Sequence, residues 1–202
     1  MSERFSDLKK VPNQPATRLM AMANAKIRAK TGLPANASVS DMMTALDSAG
    51  AFVDMLRLMG AALPPRERTW WACLAARDVI EPGADVPPSL SIAEAWVRKP
   101  GDDLRLQVRT AMEAADIDDE TTPCGLCVLY YDDTLGPGEL AKTPGPTGAS
   151  QTASFAMNIK ALGQGDSIPA TADVLIDRAL DIARGGNGQI PLPGAQVEKD
   201  VA

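Results

Sequence analysis

Apolar positions recur at helical spacing along most of this chain, and the two-residue alternation of a half-buried strand hardly appears. Residues 17–31 predict a short helix with Leu19, Met20, Ala23 and Ile27 on one side and Gly32 as its stop. Ser38-Val39-Ser40-Asp41 has the form of a capping box, in which hydroxyl and carboxylate satisfy amides that the first turn leaves free. It opens a long predicted helix to about Met59, with Met42, Leu46, Ala49, Val53 and Leu56 on one face and Gly60 as terminator. Pro64-Pro65 start the next helix, since the missing proline amide costs nothing in a first turn.

Ser91-Ile92-Ala93-Glu94 reads as a second capping box, leading into Trp96 and Val97. Asp102 is expected to cap a helix whose face is Leu104, Val108, Ala111, Met112 and Ala115. Residues 121–131 carry few β-branched side chains and read as helix rather than buried strand. Glycine and proline then crowd residues 134–149, a loop long enough to be functional or a linker. Two helices follow at about 150–162 and 170–184. The second sets Ala172, Leu175, Ile176, Ala179, Leu180 and Ala183 against Asp173, Asp177, Asp181 and Arg184. The pattern predicts an all-α domain of six to eight helices over residues 15–184, with a flexible arm at 1–14 and a loose tail at 185–202. No repeat of fixed period is visible.

The 202 residues are 45% apolar, enough for a sizeable core. The net charge of −6 is unevenly spread: residues 1–32 hold seven Lys/Arg against two Asp/Glu, and residues 102–202 hold seven against sixteen. An acidic body repels phosphates and argues against nucleic-acid binding, while the basic arm suits an acidic partner or the chain's own acidic half. Histidine is absent, which removes Ser–His and Cys–His nucleophile pairs and His-containing metal sites. Three cysteines and an amino terminus without an apolar leader segment point to reduced thiols and a cytoplasmic location. The most strongly apolar run, residues 126–131, falls far short of the ~20 residues that span a bilayer, so no membrane insertion is expected.

The segment from Pro64 to Ile80 concentrates the costly side chains. It holds Trp70, Trp71 and Cys73 in a chain with three tryptophans. Adjacent indoles on a helix cannot share one direction: either both pack inside this domain on different sides, or one anchors the core and the other lies at an edge, pocket or partner surface. Arg66, one turn before Trp70, is placed to lay its guanidinium on that indole, a contact worth ~0.5–1 kcal/mol when exposed. Arg77 lies on the Trp70 stripe.

Cys124 and Cys127 form a C-x-x-C, read as two buried inert thiols or, alternatively, as a redox pair; no second C-x-x-C completes a zinc site. Residues 136–143 nearly match a phosphate-binding loop, but Pro144-Gly145-Pro146 forbids the helix that loop must open. The acidic turn at 116–120 lacks the glycine and glutamate of a calcium loop. The nine methionines read as core filling. No metal or cofactor is expected.

Through Trp70-Trp71-Ala72-Cys73-Leu74-Ala75-Ala76-Arg77, then Ala95-Trp96-Val97, Pro100, Arg105 and Arg109, the chain resembles a family of helical bacterial domain-of-unknown-function proteins sometimes found with type VI secretion gene clusters. The resemblance implies an accessory or adaptor role and carries no catalytic residues. The leading expectation is a non-enzymatic protein that binds a protein partner through Trp70 or Trp71, Arg66 and Arg77, as a secretion accessory or effector-handling chaperone. The alternatives are a thiol oxidoreductase working through Cys124 and Cys127, and an acidic immunity or inhibitor protein that binds a basic toxin.

Overall fold

The computed structural model describes residues 3–115 and 119–192. The first three residues of the predicted acidic turn, 116–118, and most of the predicted tail, 193–202, lie outside them. Among the described residues the fold is all-α, with nine α-helices and no strand. They are α1 (Ala16–Met22), α2 (Val39–Ser48), α3 (Phe52–Ala62), α4 (Pro65–Val79), α5 (Pro88–Arg98), α6 (Asp102–Glu113), α7 (Thr122–Leu129), α8 (Ala149–Ala161) and α9 (Ile168–Arg184).

The tryptophan helix α4 is the hub, packing on α5, α7, α8 and α9. Its small residues Ala72, Ala75 and Ala76 let neighbours approach closely, and all three are buried. Trp71 is fully buried and donates from its indole nitrogen to the Leu175 carbonyl of α9 at 2.9 Å. The apolar face read for α9 is inside throughout: Ala172, Leu175, Ile176, Ala179, Leu180 and Ala183 are all buried. Met43, Met55, Met59 and Met157 fill the spaces between helices.

Three boundaries differ from the expected ones. The long helix expected from Ser38 to Met59 is two helices, which brings the count to nine. Its capping box forms as read, with Ser38 Oγ accepting from the Asp41 amide at 3.1 Å. The chain then turns at Gly50, whose φ of +62° belongs to the left-handed region. Gly60 does not end α3. It lies inside the helix, where its missing side chain admits the Gln151 carbonyl of α8. The helix expected over 17–31 stops at Met22, because Asn24 takes a φ of +49°. Asn24, Lys26, Arg28 and Lys30 then point outward while Ala25, Ile27 and Ala29 are half-buried. The buried Asp54 carboxylate holds this stretch by accepting from the amides of Arg28 and Ala29, each at 2.8 Å.

The second capping box does not form. α5 begins at Pro88, and Glu94 bonds to Arg77 instead of a helix-start amide. Asp102 is the first residue of α6 rather than its cap, which is Gly101. Within the glycine- and proline-rich loop a 3-10 turn spans Gly138–Lys142, and Thr134 and Pro144 pair in an isolated bridge. Residues 3–11 lie against the bundle. Phe5 is buried, and Arg4 reaches Asp173 and Asp177 of α9 at 2.9 and 3.0 Å and Asp47 of α2 at 3.4 Å. The basic arm pairs there with the chain's own carboxylates. No described helix is long and apolar enough to cross a membrane.

Candidate functional site

A cavity of about 330 Å³ opens at one end of α4, where the amino-terminal segment, α5 and the end of α9 meet. Each wall has a local cause. Gly185, at a φ of +109°, ends α9 in the left-handed conformation that only glycine adopts freely, and the amides of Gly185 and Gly186 return to the Asp181 carbonyl. That turn carries Asn187 to the cavity edge, where its carbonyl accepts from the Trp70 indole nitrogen at 2.7 Å. The Lys10 amide donates to the Ala183 carbonyl at 2.9 Å, which pins the amino-terminal segment along the end of α9. The Lys10 ammonium meets Glu67 of α4 at 2.8 Å. Arg66 donates from Nε to the Val97 carbonyl in the last turn of α5 at 2.6 Å. Arg98 closes the rim, and Val97 and Ile182 supply apolar wall.

The two indoles of α4 point in different directions, as the helical geometry requires. Trp71 is core and lies off the surface. Trp70 is half-buried, and its ring faces the cavity. Arg66 shares the cavity with Trp70, but it bonds to a carbonyl rather than capping the indole. Among the described residues the guanidinium-over-ring contacts are Arg4 with Phe5, Arg57 with Phe155 and Arg105 with Tyr131. Arg77 is drawn away from the cavity: Nε and Nη2 each donate to the Glu94 carboxylate at 2.7 Å, tying α4 to α5. The structure thus brings together Trp70 and Arg66 of the four expected surface residues.

Cys124 and Cys127 lie one turn apart on α7, fully buried with Cys73 of α4 close by. Burial pushes the Cys124 thiol far above its ordinary value, and the Cys73 contact adds to that. Burial also pushes the Cys127 thiol up, against the opposing influence of Arg68. A C-x-x-C primed for exchange needs the opposite, a lowered pKa and access. Lys142, in the near match to a phosphate loop, is exposed and pairs with Glu139. No group of three or more acidic or cysteine side chains among the described residues is placed to hold a metal.

Two polar centres give no clear sign in the sequence. Arg105 is 1% exposed and donates to the Leu129 carbonyl at the end of α7 from Nε and Nη2, at 2.9 and 2.6 Å, while pairing in two-point fashion with Asp132. Arg178 of α9 pairs with Asp78 of α4 and donates to the Ile190 carbonyl at 2.6 Å. Only their placement three residues from apolar core positions, Val108 and Leu175, marks them as inward-facing.

The helices and the cavity define an all-α domain that carries an aromatic and cationic pocket on one end of its central helix. The chain belongs to a family of unknown function (DUF6931), whose model matches residues 42–183. No curated protein and no solved structure matches it.

Proposed function

We propose that this protein is a non-enzymatic interaction module that binds a protein partner through the cavity at Trp70 and Arg66. The observation that carries this reading is the half-buried Trp70 ring, fixed by its bond to Asn187 and left facing a concave surface. A rigid aromatic ring in a concavity is a low-entropy anchor, the kind of side chain that dominates binding energy in protein interfaces. The sequence resemblance to proteins sometimes found with type VI secretion loci supports a cytoplasmic accessory or effector-handling role. The thiol oxidoreductase alternative is disfavoured by the burial and raised pKa values of Cys124 and Cys127. The toxin-inhibitor alternative loses part of its acidic surface, since Asp173 and Asp177 are taken by Arg4.

Affinity capture from native cells with the wild type and with Trp70→Ala tests the reading. The expected result is a partner retained by the wild type and lost by the variant, with helical content unchanged by circular dichroism. Equal retention by a folded Trp70→Ala variant overturns it.

A further inference from the structure

We infer that the Trp70 cavity docks an acidic peptide segment of the partner, with its carboxylates held by Arg66 and Arg98 and an apolar side chain laid on the Trp70 indole; this rests on the interaction reading above and sharpens it.

The argument is one of charge and committed hydrogen bonds. Three cations, Lys10, Arg66 and Arg98, line the cavity against the single carboxylate of Glu67. Lys10 and Glu67 neutralise each other at 2.8 Å. Arg66 and Arg98 have no carboxylate partner among the described residues, as is also true of Arg18, Arg28, Arg68, Arg109 and Arg184, whereas Arg57, Arg77, Arg105 and Arg178 each have one and Arg4 has three; of the unpaired arginines, Arg66 and Arg98 are the two that line this cavity. In a chain with six more carboxylates than cations, two arginines from different helices therefore stand uncompensated at one concavity.

The donors already spent define what remains for a guest. Arg66 uses Nε on the Val97 carbonyl, which fixes the root of the guanidinium and leaves its Nη groups for an anion. Trp70 uses its indole N–H on Asn187, so the ring offers a face and no donor. With Val97 and Ile182 beside it, that face calls for apolar atoms within reach of an anion. A bare phosphate would leave the apolar wall empty, and an extended polyanion would meet the acidic remainder of the molecule. A short peptide with carboxylates flanking a large apolar residue satisfies both halves.

The test uses the full chain and fluorescein-labelled acetyl-Glu-Leu-Glu-Glu-Leu-Glu-amide, read by anisotropy, with the corresponding Lys-Leu peptide as its counterpart. The acidic peptide is expected to bind and the basic one not to. The double variant Arg66→Glu/Arg98→Glu should lose more than about tenfold in affinity and shift its preference to the basic peptide. Arg18→Glu/Arg28→Glu, at exposed cations elsewhere, should change affinity by less than about twofold. Trp70→Phe should weaken binding less than Trp70→Ala.

Indifference to the charge reversal, equal binding of both peptides, full displacement by millimolar inorganic phosphate, or binding only after removal of residues 193–202 would each overturn the proposal. Arg66 and Arg98 are exposed, so the reversed variant is expected to keep its fold, checked by circular dichroism. Partner capture lost by Trp70→Ala but kept by the charge-reversed variant would leave the interaction reading standing and defeat the acidic occupant alone.

Discussion

Arg68 and Arg105 are both buried arginines, yet their surroundings differ in the one respect that decides their energetic sign. Arg105 has its charge and donors answered by Asp132, Thr134 and the Leu129 carbonyl, and it closes the carbonyl end of α7. Arg68 is 4% exposed, and its Nε and Nη1 find no partner among the described residues; burial pulls its pKa down. Removing one member of a satisfied buried network costs about 3–5 kcal/mol, whereas a buried charge without partners carries a desolvation penalty that an apolar side chain of similar size does not. Arg105→Met is therefore expected to lower, and Arg68→Met to hold or raise, the free energy of urea unfolding. The same network sets a pH dependence. Burial opposes ionisation of Asp132, but hydrogen bonds from Arg105 and Thr134 together outweigh it and hold the carboxyl below its ordinary range. A carboxyl with a lower pKa in the folded state contributes stability that is complete above its unfolded value, near pH 4, and is lost as pH falls through the folded value. Asp119 acts in the same sense, and Asp78, raised chiefly by burial, in the opposite one. Stability should fall from about pH 5 downward, and Asp132→Asn should flatten part of that fall while lowering stability at neutral pH.

At the scale of elements, two glycines with positive φ predict different costs for the same change. Gly50, between α2 and α3, has nothing within 4 Å of the place a Cβ would take, so Gly50→Ala should cost about 1–2 kcal/mol from backbone strain alone. Gly148, the cap of α8 at a φ of +74°, would drive a Cβ into the Ala23 backbone where α1 ends. Gly148→Ala should be the more damaging by thermal unfolding, because backbone cannot step aside as a side-chain tip can. The periodic pattern located most of the helices because their buried faces are continuous, α9 above all. It ran through the α2–α3 break because Met42, Leu46, Ala49, Val53 and Leu56 keep helical phase across Gly50. The structure leaves Ala49 exposed and Val53 36% exposed, so the true phase resets on Met55, Leu58 and Met59. The shortened α1 had a visible signal in the alternation of residues 24–30, which is period two rather than 3.6.

For the whole molecule, helix geometry set the two indoles in different directions, but it decided neither whether both packed inside nor which one faced the cavity. That depends on α9 ending beside Trp70 while Leu175 meets Trp71, a contact spanning 104 positions in sequence. Lys10 and Arg98 were equally hidden as cavity residues, since each arrives on a different segment. The same long-range convergence shields the sulfurs. Cys73 comes from α4 and Cys124 and Cys127 from α7, and all three are fully buried where these helices pack together. Burial holds the thiols of Cys124 and Cys127 protonated at neutral pH, so a thiol reagent must wait for the bundle to open. All three should therefore react together, at the rate of global unfolding, and addition of denaturant should accelerate them in parallel with the loss of helical circular dichroism. Faster labelling of Cys124 and Cys127 than of Cys73 would mean that α7 detaches as a separate unit. Rapid formation of a reversible Cys124–Cys127 disulfide in the folded protein is the outcome that would restore the redox alternative, because only a pair accessible in the native packing can exchange without unfolding.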